Sequence, residues 1–272
     1  MKELTNPKKI KYVEVKPEEI DRETIRKALL DVGAVTVGFA QAGEVDAEFH
    51  ELYKNWIGEG NHGDMSYLER HIPLRRHTDS VLPGAETVIS LAFSYVPKEW
   101  RPLDIPMIAA YAYGEDYHKS LRKILKPVVK GFREKYGGNW RICIDSAPIA
   151  ERFWAMKSGI GKLGLNSCII VEGCGSLCFL TEILTTHALK PDVPSVDRCD
   201  NCGRCAEICP AHAIGDEGNF HATRCINYLM IEKRTPLSTQ ETQLLEVPPG
   251  HILGCDRCLR ICPHNDLLKL NS

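Results

Sequence analysis

The sequence predicts an α/β (α+β) domain followed by a ferredoxin-like module built for two 4Fe–4S clusters. Two observations predict it. Residues 17–185 alternate helical-period segments with short apolar, β-branched runs, and eight of the chain's twelve cysteines crowd into residues 199–262. The stretch LKPDVPSVD at 189–197, with two prolines and mixed polarity, reads as the boundary, giving domains of 1–190 and 191–272.

In the first domain, residues 17–31 read as a helix. Pro17 suits the first helical position, and Glu18, Glu19 and Asp21 fall where the helix dipole favours anions. Ile20, Ile25, Leu29 and Leu30 make the apolar stripe, and Gly33 reads as the C-cap. Residues 34–40 read as a strand and 46–57 as a helix. The stretch 60–84 is broken by Gly60, Gly63, Pro73, Pro83 and Gly84 and reads as turns. Its cations Arg70, His71, Arg75, Arg76 and His77 are either a solvated loop or an anion-binding edge. Residues 87–95 read as a buried strand.

The aromatic stretch YAYGEDY (111–117) leads into a helix of about twenty residues ending near Gly137-Gly138, with Pro127 a potential kink. Residues 140–144 read as a strand that runs into Asp145-Ser146-Ala147-Pro148 and then a helix over 148–158. A carboxylate at a strand end before a helix belongs either to the functional rim of a sheet or to an ordinary N-cap. Gly159-Ile160-Gly161-Lys162-Leu163-Gly164 matches GxGxxG but follows a helix, whereas the dinucleotide fingerprint follows a strand. The glycines instead suit tight turning or close approach. Residues 166–171 and 177–185 read as two strands joined by a turn. Cys143, Cys168, Cys174 and Cys178 read as packing.

The second domain opens with Cys199-x2-Cys202-x2-Cys205-x3-Cys209-Pro210 and closes with Cys255-x2-Cys258-x3-Cys262-Pro263. In two-cluster ferredoxins the fourth cysteine of such a run ligates the other cluster. Cys199, Cys202, Cys205 and Cys262 therefore form one set. Cys209, Cys255 and Cys258 form the other, which Cys225 completes. Structural zinc fits a triple run ending in Cys-Pro poorly, and a disulfide framework suits small secreted domains rather than a chain of 272 residues.

Composition agrees with an ordinary globular protein: 43% hydrophobic, with 34 basic against 36 acidic residues. No apolar run approaches the roughly eighteen residues of a membrane span. The N-terminus lacks an apolar signal core, so the expected location is the cytoplasm.

Several blocks together resemble epoxyqueuosine reductase and, more broadly, the cobalamin-dependent iron–sulfur reductases that include reductive dehalogenases. They are GDMSYLERH, Arg75 with LPGAETVIS, YGEDYHKSLRKIL, IDSAPIAERFWAMKSGIGKLGLNS, LTEILTT, CDNCGRCAEICPAHAI, RCINYLMIEK and GCDRCLRICPHN, running in the family's order from about Gly60 to Asn265. The resemblance implies a base-off cobalamin between the α/β domain and two 4Fe–4S clusters, with electrons passing through the clusters to cobalt to remove the epoxide oxygen of epoxyqueuosine in tRNA. It implies Asp145 as proton donor, since opening an epoxide leaves an alkoxide that needs a positioned acid. It also implies corrin contacts from Arg75, Asp145, Ile169, Leu180, Asn227 and Asp256. An external donor of flavodoxin or ferredoxin type and a monomeric chain are expected with it.

Three features depart from the pattern. Ala109-Ala110-Tyr111 replaces a polar residue and arginine, Gly164-Leu165-Asn166 replaces Gly-Lys-Asn, and the sequence stops before the C-terminal helical repeat of many members. A related reductase acting on a small molecule or on another corrinoid protein therefore stands as an alternative, as does a plain 4Fe–4S electron carrier. The long first domain speaks against the carrier.

Overall fold

A computed structural model describes residues 20–102, 105–197, 199–215, 218–247 and 250–268. The expected helix start at Pro17 lies outside these residues. Helix α1 (Arg22–Asp31) is capped by Asp21, whose carboxylate accepts from the Glu23 and Thr24 amides. Gly33 closes it at φ +103°, a conformation that favours glycine. Strand β1 (Thr36–Gln41) and helix α2 (Ala47–Gly58) follow.

The stretch expected as turns instead forms two short helices, α3 (Ser66–Arg70) and α4 (Ile72–Arg75). Pro73 sits in the first turn of α4, where its missing N–H has no intrahelical acceptor to serve, so it starts the helix rather than breaking it.

The chain continues through β2 (Thr87–Ser94), β3 (Met107–Ile108), α5 (Tyr117–Tyr136), β4 (Trp140–Cys143) and α6 (Glu151–Lys157). Pro127 is accommodated inside an unbroken α5. Next come β5 (Lys162–Leu163), β6 (Ile169–Ile170) and β7 (Cys178–Thr185).

The main sheet has the order β1-β2-β7-β4 and is antiparallel throughout. The fold is therefore α+β rather than doubly wound. Helices cover both faces. On one, α1 and α5 pack Ile25, Leu29, Leu125 and Phe132 against Phe39, Ile89, Leu91 and Ile183. On the other, Phe153 and Trp154 of α6 meet Ala40, Val88 and Leu184.

The expected 166–171/177–185 strand pair forms only at its turn, through the Val171–Gly175 bridge. Strand β6 pairs with β5 instead. The glycines explain the change: a Cβ on Gly161 would stand 2.5 Å from Ile169 Cγ2 and 2.8 Å from the Ile170 carbonyl, so only glycine lets the segment approach this closely.

Residues 189–197 carry no regular structure yet form no free hinge. Leu189 is buried. The Asp192 carboxylate accepts from Arg26 and the Phe39 amide and pairs with Arg22.

The cysteine-rich module contains α7 (Arg204–Glu207), α8 (Thr239–Leu245), β8 (His251–Leu253) and α9 (Arg257–Arg260). It is latched to the first domain. Strand β8 pairs in parallel with β3. The Tyr228 hydroxyl accepts from the Asp64 amide at 2.8 Å, and Asp64 Oδ2 accepts from the Arg234 and Thr235 amides. Among the described residues no helix is long and apolar enough to cross a membrane.

Candidate active site at the junction of cleft and cysteine module

Asp145 lies just past the end of β4, and it does not cap α6. Ala150 holds the N-cap position, without a side-chain bond. Asp145 itself takes φ +51°, a left-handed conformation that costs an aspartate about 1 kcal/mol or more. The turn is held from several sides. The Tyr117 hydroxyl donates to Asp145 Oδ2 at 2.6 Å, and the Asp145 amide donates to Glu151 Oε1 at 3.0 Å. His118 Nε2 is 3.5 Å from the same Oδ2. The Tyr117 ring stacks on Phe179 of β7 at 4.1 Å. Burial first, then the Asp145 carboxylate, raises the Tyr117 hydroxyl pKa well above the usual phenol range, so it stays a donor. Burial, reinforced by Asp145, pushes Glu151 up to about 7.

Two clefts meet at this turn and share Asp145, Glu151 and Arg152. One is open to solvent and is lined by Tyr53, Tyr67, Arg75 and His118 among others. Arg75 packs its guanidinium over the Tyr53 ring at 5.6 Å, and among the described residues its buried Nε has no hydrogen-bond partner. The other, also open to solvent, lies between Ile169, Leu180, Phe179, Tyr95 and Cys168. Four of the expected site residues thus line these two neighbouring clefts: Arg75 one, Ile169 and Leu180 the other, and Asp145 both.

Asn227 and Asp256 are elsewhere engaged. Asn227 Nδ2 donates to the Cys255 carbonyl and its Oδ1 accepts from the Cys255 amide. Asp256, 1% exposed, accepts from the Ala110 amide at 3.0 Å and pairs with Arg260 at 2.8 Å. Asn227 therefore pins the Cys255 backbone within the module, and Asp256 ties the same loop to Ala110 of the first domain. Of the basic cluster, Arg75 enters the cleft, whereas Arg70 bonds Ser66 and Arg76 pairs with Glu44.

The eight module cysteines fall into two neighbourhoods. Cys205 feels the charges of Cys262 and Cys199, and Cys262 those of Cys202 and Cys199. Cys258 feels those of Cys255, Cys225 and Cys209. Burial leads in pushing the Cys205, Cys225, Cys258 and Cys262 thiols up, and Cys255 to about 11. Cationic iron among four thiolates reverses that balance, so the donor set fits a metal cluster. Backbone amides add to the fit: Leu165 N–H points at Cys199 Sγ (3.2 Å) and Ala213 N–H at Cys209 Sγ (3.3 Å). Among the described residues, no three His, Cys, Asp or Glu groups converge on a single metal ion. Ligands of an iron–sulfur cube stand on separate corners, so this spread is compatible with one.

Cys168 is the residue that sequence reasoning missed. Read as strand packing, it precedes β6, lines the cleft beside Ile169, and feels charge from both cysteine neighbourhoods. Tyr95 lines the same cleft. Cys143 packs as expected, fully buried.

The model of the family described as "Epoxyqueuosine reductase QueG, DUF1730" matches residues 75–146, from Arg75 to just past Asp145. That for a 4Fe-4S double cluster binding domain matches residues 198–265, which include all eight module cysteines. The epoxyqueuosine reductase of Cyclobacterium marinum is 34% identical over 251 residues, covering 91% of this chain and 80% of the relative. The chain belongs to the epoxyqueuosine reductase family. It carries the family's double-cluster domain for 4Fe–4S centres. Among solved structures, an epoxyqueuosine reductase with an epoxyqueuosine-modified tRNA-Tyr stem loop superposes with a TM-score of 0.77 at 26% identity, covering 90% of this chain and 64% of that one. The Bacillus subtilis epoxyqueuosine reductase, with its aspartate-bearing catalytic loop swung out of the active site, gives 0.75 at 27% identity, covering 90% and 65%. The chain thus spans just under two thirds of the length of these two structures.

Proposed function

We propose that this chain is a corrinoid-dependent iron–sulfur oxidoreductase that removes the epoxide oxygen of epoxyqueuosine in tRNA, giving queuosine. The observation that carries this reading is its likeness, over 91% of its length, to a named epoxyqueuosine reductase. The tRNA substrate is drawn from the stem-loop bound by the related enzyme.

In this reading Cys199, Cys202, Cys205 and Cys262 hold one 4Fe–4S cluster, and Cys209, Cys225, Cys255 and Cys258 the other. Arg75, through its unmet buried Nε donor, and Ile169 and Leu180, as an apolar bed, would hold a cobalamin in the two clefts. Bound there, it would supply low-valent cobalt as the source of electrons. Asn227 and Asp256 act at one remove, holding the Cys255 loop as a wall. Cys168 and Tyr95 fill the gap between cleft and cysteines.

The net reaction takes up two electrons and two protons and releases the epoxide oxygen as water. Asp145 is the general acid at that oxygen. Tyr117 holds Oδ2, and among the described residues Oδ1 takes no hydrogen bond and is free to meet substrate. Glu151, with a pKa near neutrality, stands next to this turn as a proton store. An external flavodoxin- or ferredoxin-type donor feeds the clusters of a monomeric, cytoplasmic enzyme.

The test is anaerobic turnover of an epoxyqueuosine-containing tRNA stem-loop with added cobalamin and reductant. Mass spectrometry is expected to record loss of one oxygen atom from the modified base. Intact clusters and bound cobalamin without product would overturn the assignment.

A further inference from the structure

Helix α5 is strongly polarised. Its inner face buries Leu121, Leu125, Val129, Phe132 and Tyr136. Its outer face carries Lys119, Arg122, Lys123, Lys126, Lys130 and Arg133, all exposed. At about 100° per residue these six fall within a stripe roughly 100° wide, and at 1.5 Å per residue they run about 21 Å along the axis. Glu134 is the only acid within α5, and it pairs with Lys130 at 3.5 Å. Asp116, the N-cap, stands 3.8 Å from Lys119. A solvated helix of this length ordinarily interleaves acids and bases at i, i+4. Here like charges face one another, at a cost that an external anion removes. The chain as a whole has a net charge of −2, so the stripe is a local segregation of charge.

The stripe also borders a groove. Arg122, Lys126, Lys130 and Arg133 line it on one side and Arg141 of β4 on the other, and it ends at Ser146 and Ala147. Strand β4 is an edge of the main sheet, so its outer backbone groups face this groove. Ser146 and Ala147 directly follow Asp145, whose carboxylate lines the cleft on the other side of the turn. The cationic groove and the reaction cleft are thus separated by the Asp145 turn.

We infer that the outer face of α5 and the adjoining edge of β4 form the docking surface for the phosphate backbone of the RNA stem that carries the reacting nucleotide. This rests on the tRNA reading above. Phosphate contacts from Lys and Arg set register and orientation without reading sequence. Recognition in single-stranded loops proceeds through splayed-out bases. A stem lying along α5 delivers one loop nucleotide past Asp145 into the cleft. Arg133 and Arg141 are already oriented by bonds to the Trp140 and Val81 carbonyls, whereas Arg122 and Lys126 extend from α5 toward the groove without such anchors.

The experiment compares Lys126→Gln/Lys130→Gln with Lys98→Gln/Lys190→Gln, which removes the same charge elsewhere on the surface. Binding of a tRNA anticodon stem-loop to the cluster-loaded protein is measured by fluorescence anisotropy across a salt series. Circular dichroism and cluster absorbance check folding; all four side chains are exposed. The α5 variant is expected to bind about tenfold more weakly, with a slope of log K against log salt shallower by about 1.5 to 2. The control pair should match wild type. Equal affinity and slope for the α5 variant, with wild type binding, overturns this docking surface and leaves the tRNA reading intact. No stem-loop binding by wild type overturns both.

Discussion

The Tyr117 hydroxyl donates a 2.6 Å hydrogen bond to Asp145 Oδ2, joining the first turn of α5 to the turn after β4. Tyr117 is itself fixed by stacking on Phe179. An aspartate in a left-handed conformation is thereby held at the point where two clefts meet. The same bond leaves Asp145 Oδ1 without a hydrogen bond among the described residues.

Asp145→Asn should keep both clusters and lower turnover by about a hundredfold or more, the usual worth of a positioned acid. Tyr117→Phe should lower it by about tenfold, through a mis-set carboxyl. Because the two act as one unit, the double variant should lose no more than Asp145→Asn alone. Single-turnover rates on the stem-loop, with cluster absorbance as control, check this. Additive losses would mean that Tyr117 acts independently of Asp145.

The partition of the cysteines makes a sharper prediction than their number. Cys199→Ser and Cys262→Ser, about sixty residues apart in sequence, should remove the same cluster, and the pair together should lose no more iron than either alone. Cys199→Ser/Cys258→Ser should lose both. Iron and sulfide per chain, with EPR of the reduced protein, separate the cases. If the first pair lost both clusters, the swapped-ligand arrangement would be wrong.

The clusters were the most legible part of the chain because ligand spacing is local. Asp145 was legible as a carboxylate at a strand end, and its alternative role as a cap disappears because Ala150 takes that position. Its partners were not legible. Tyr117 and Glu151 reach it through a positive-φ turn and through sheet pairing between segments distant in sequence. Cys168 was hidden for a similar reason: apolar neighbours suggested a strand interior, but β6 spans only Ile169–Ile170 and Cys168 lies at the cleft wall. The bonds by which Asn227 and Asp256 hold the backbones of Cys255 and Ala110 were not legible, because they join segments distant in sequence.

Arg75→Ala should weaken cobalamin binding while leaving iron content unchanged. A hydrogen bond from a charged donor is worth about 1.5–3 kcal/mol, which corresponds to a roughly ten- to hundredfold rise in Kd. Absorbance titration of the cluster-loaded protein measures it without any turnover. An unchanged Kd would remove Arg75 from the corrinoid site.

Glu182 carries the last prediction. It lies in the middle of β7, 0% exposed, and among the described residues neither carboxyl oxygen has a hydrogen-bond partner. Across the sheet it faces Ser90 of β2 and Cys143 of β4. Burial first, then the charges of Glu151 and Asp145, push its pKa well above the ordinary 4.5. The folded chain therefore keeps this proton at pH values where the unfolded chain has lost it. Stability falls as pH rises from about 4.5 toward the folded pKa, because across that window the native state binds the extra proton. Glu182→Gln has no such proton to lose. Its stability relative to wild type should therefore rise by about 1.4 kcal/mol for each pH unit across the window, with no pH-dependent advantage below pH 4. Denaturant melts of the two proteins from pH 4 to 8, with clusters loaded, measure the difference directly. A difference that does not change with pH would mean that Glu182 is ionised in the folded chain and has a counter-charge.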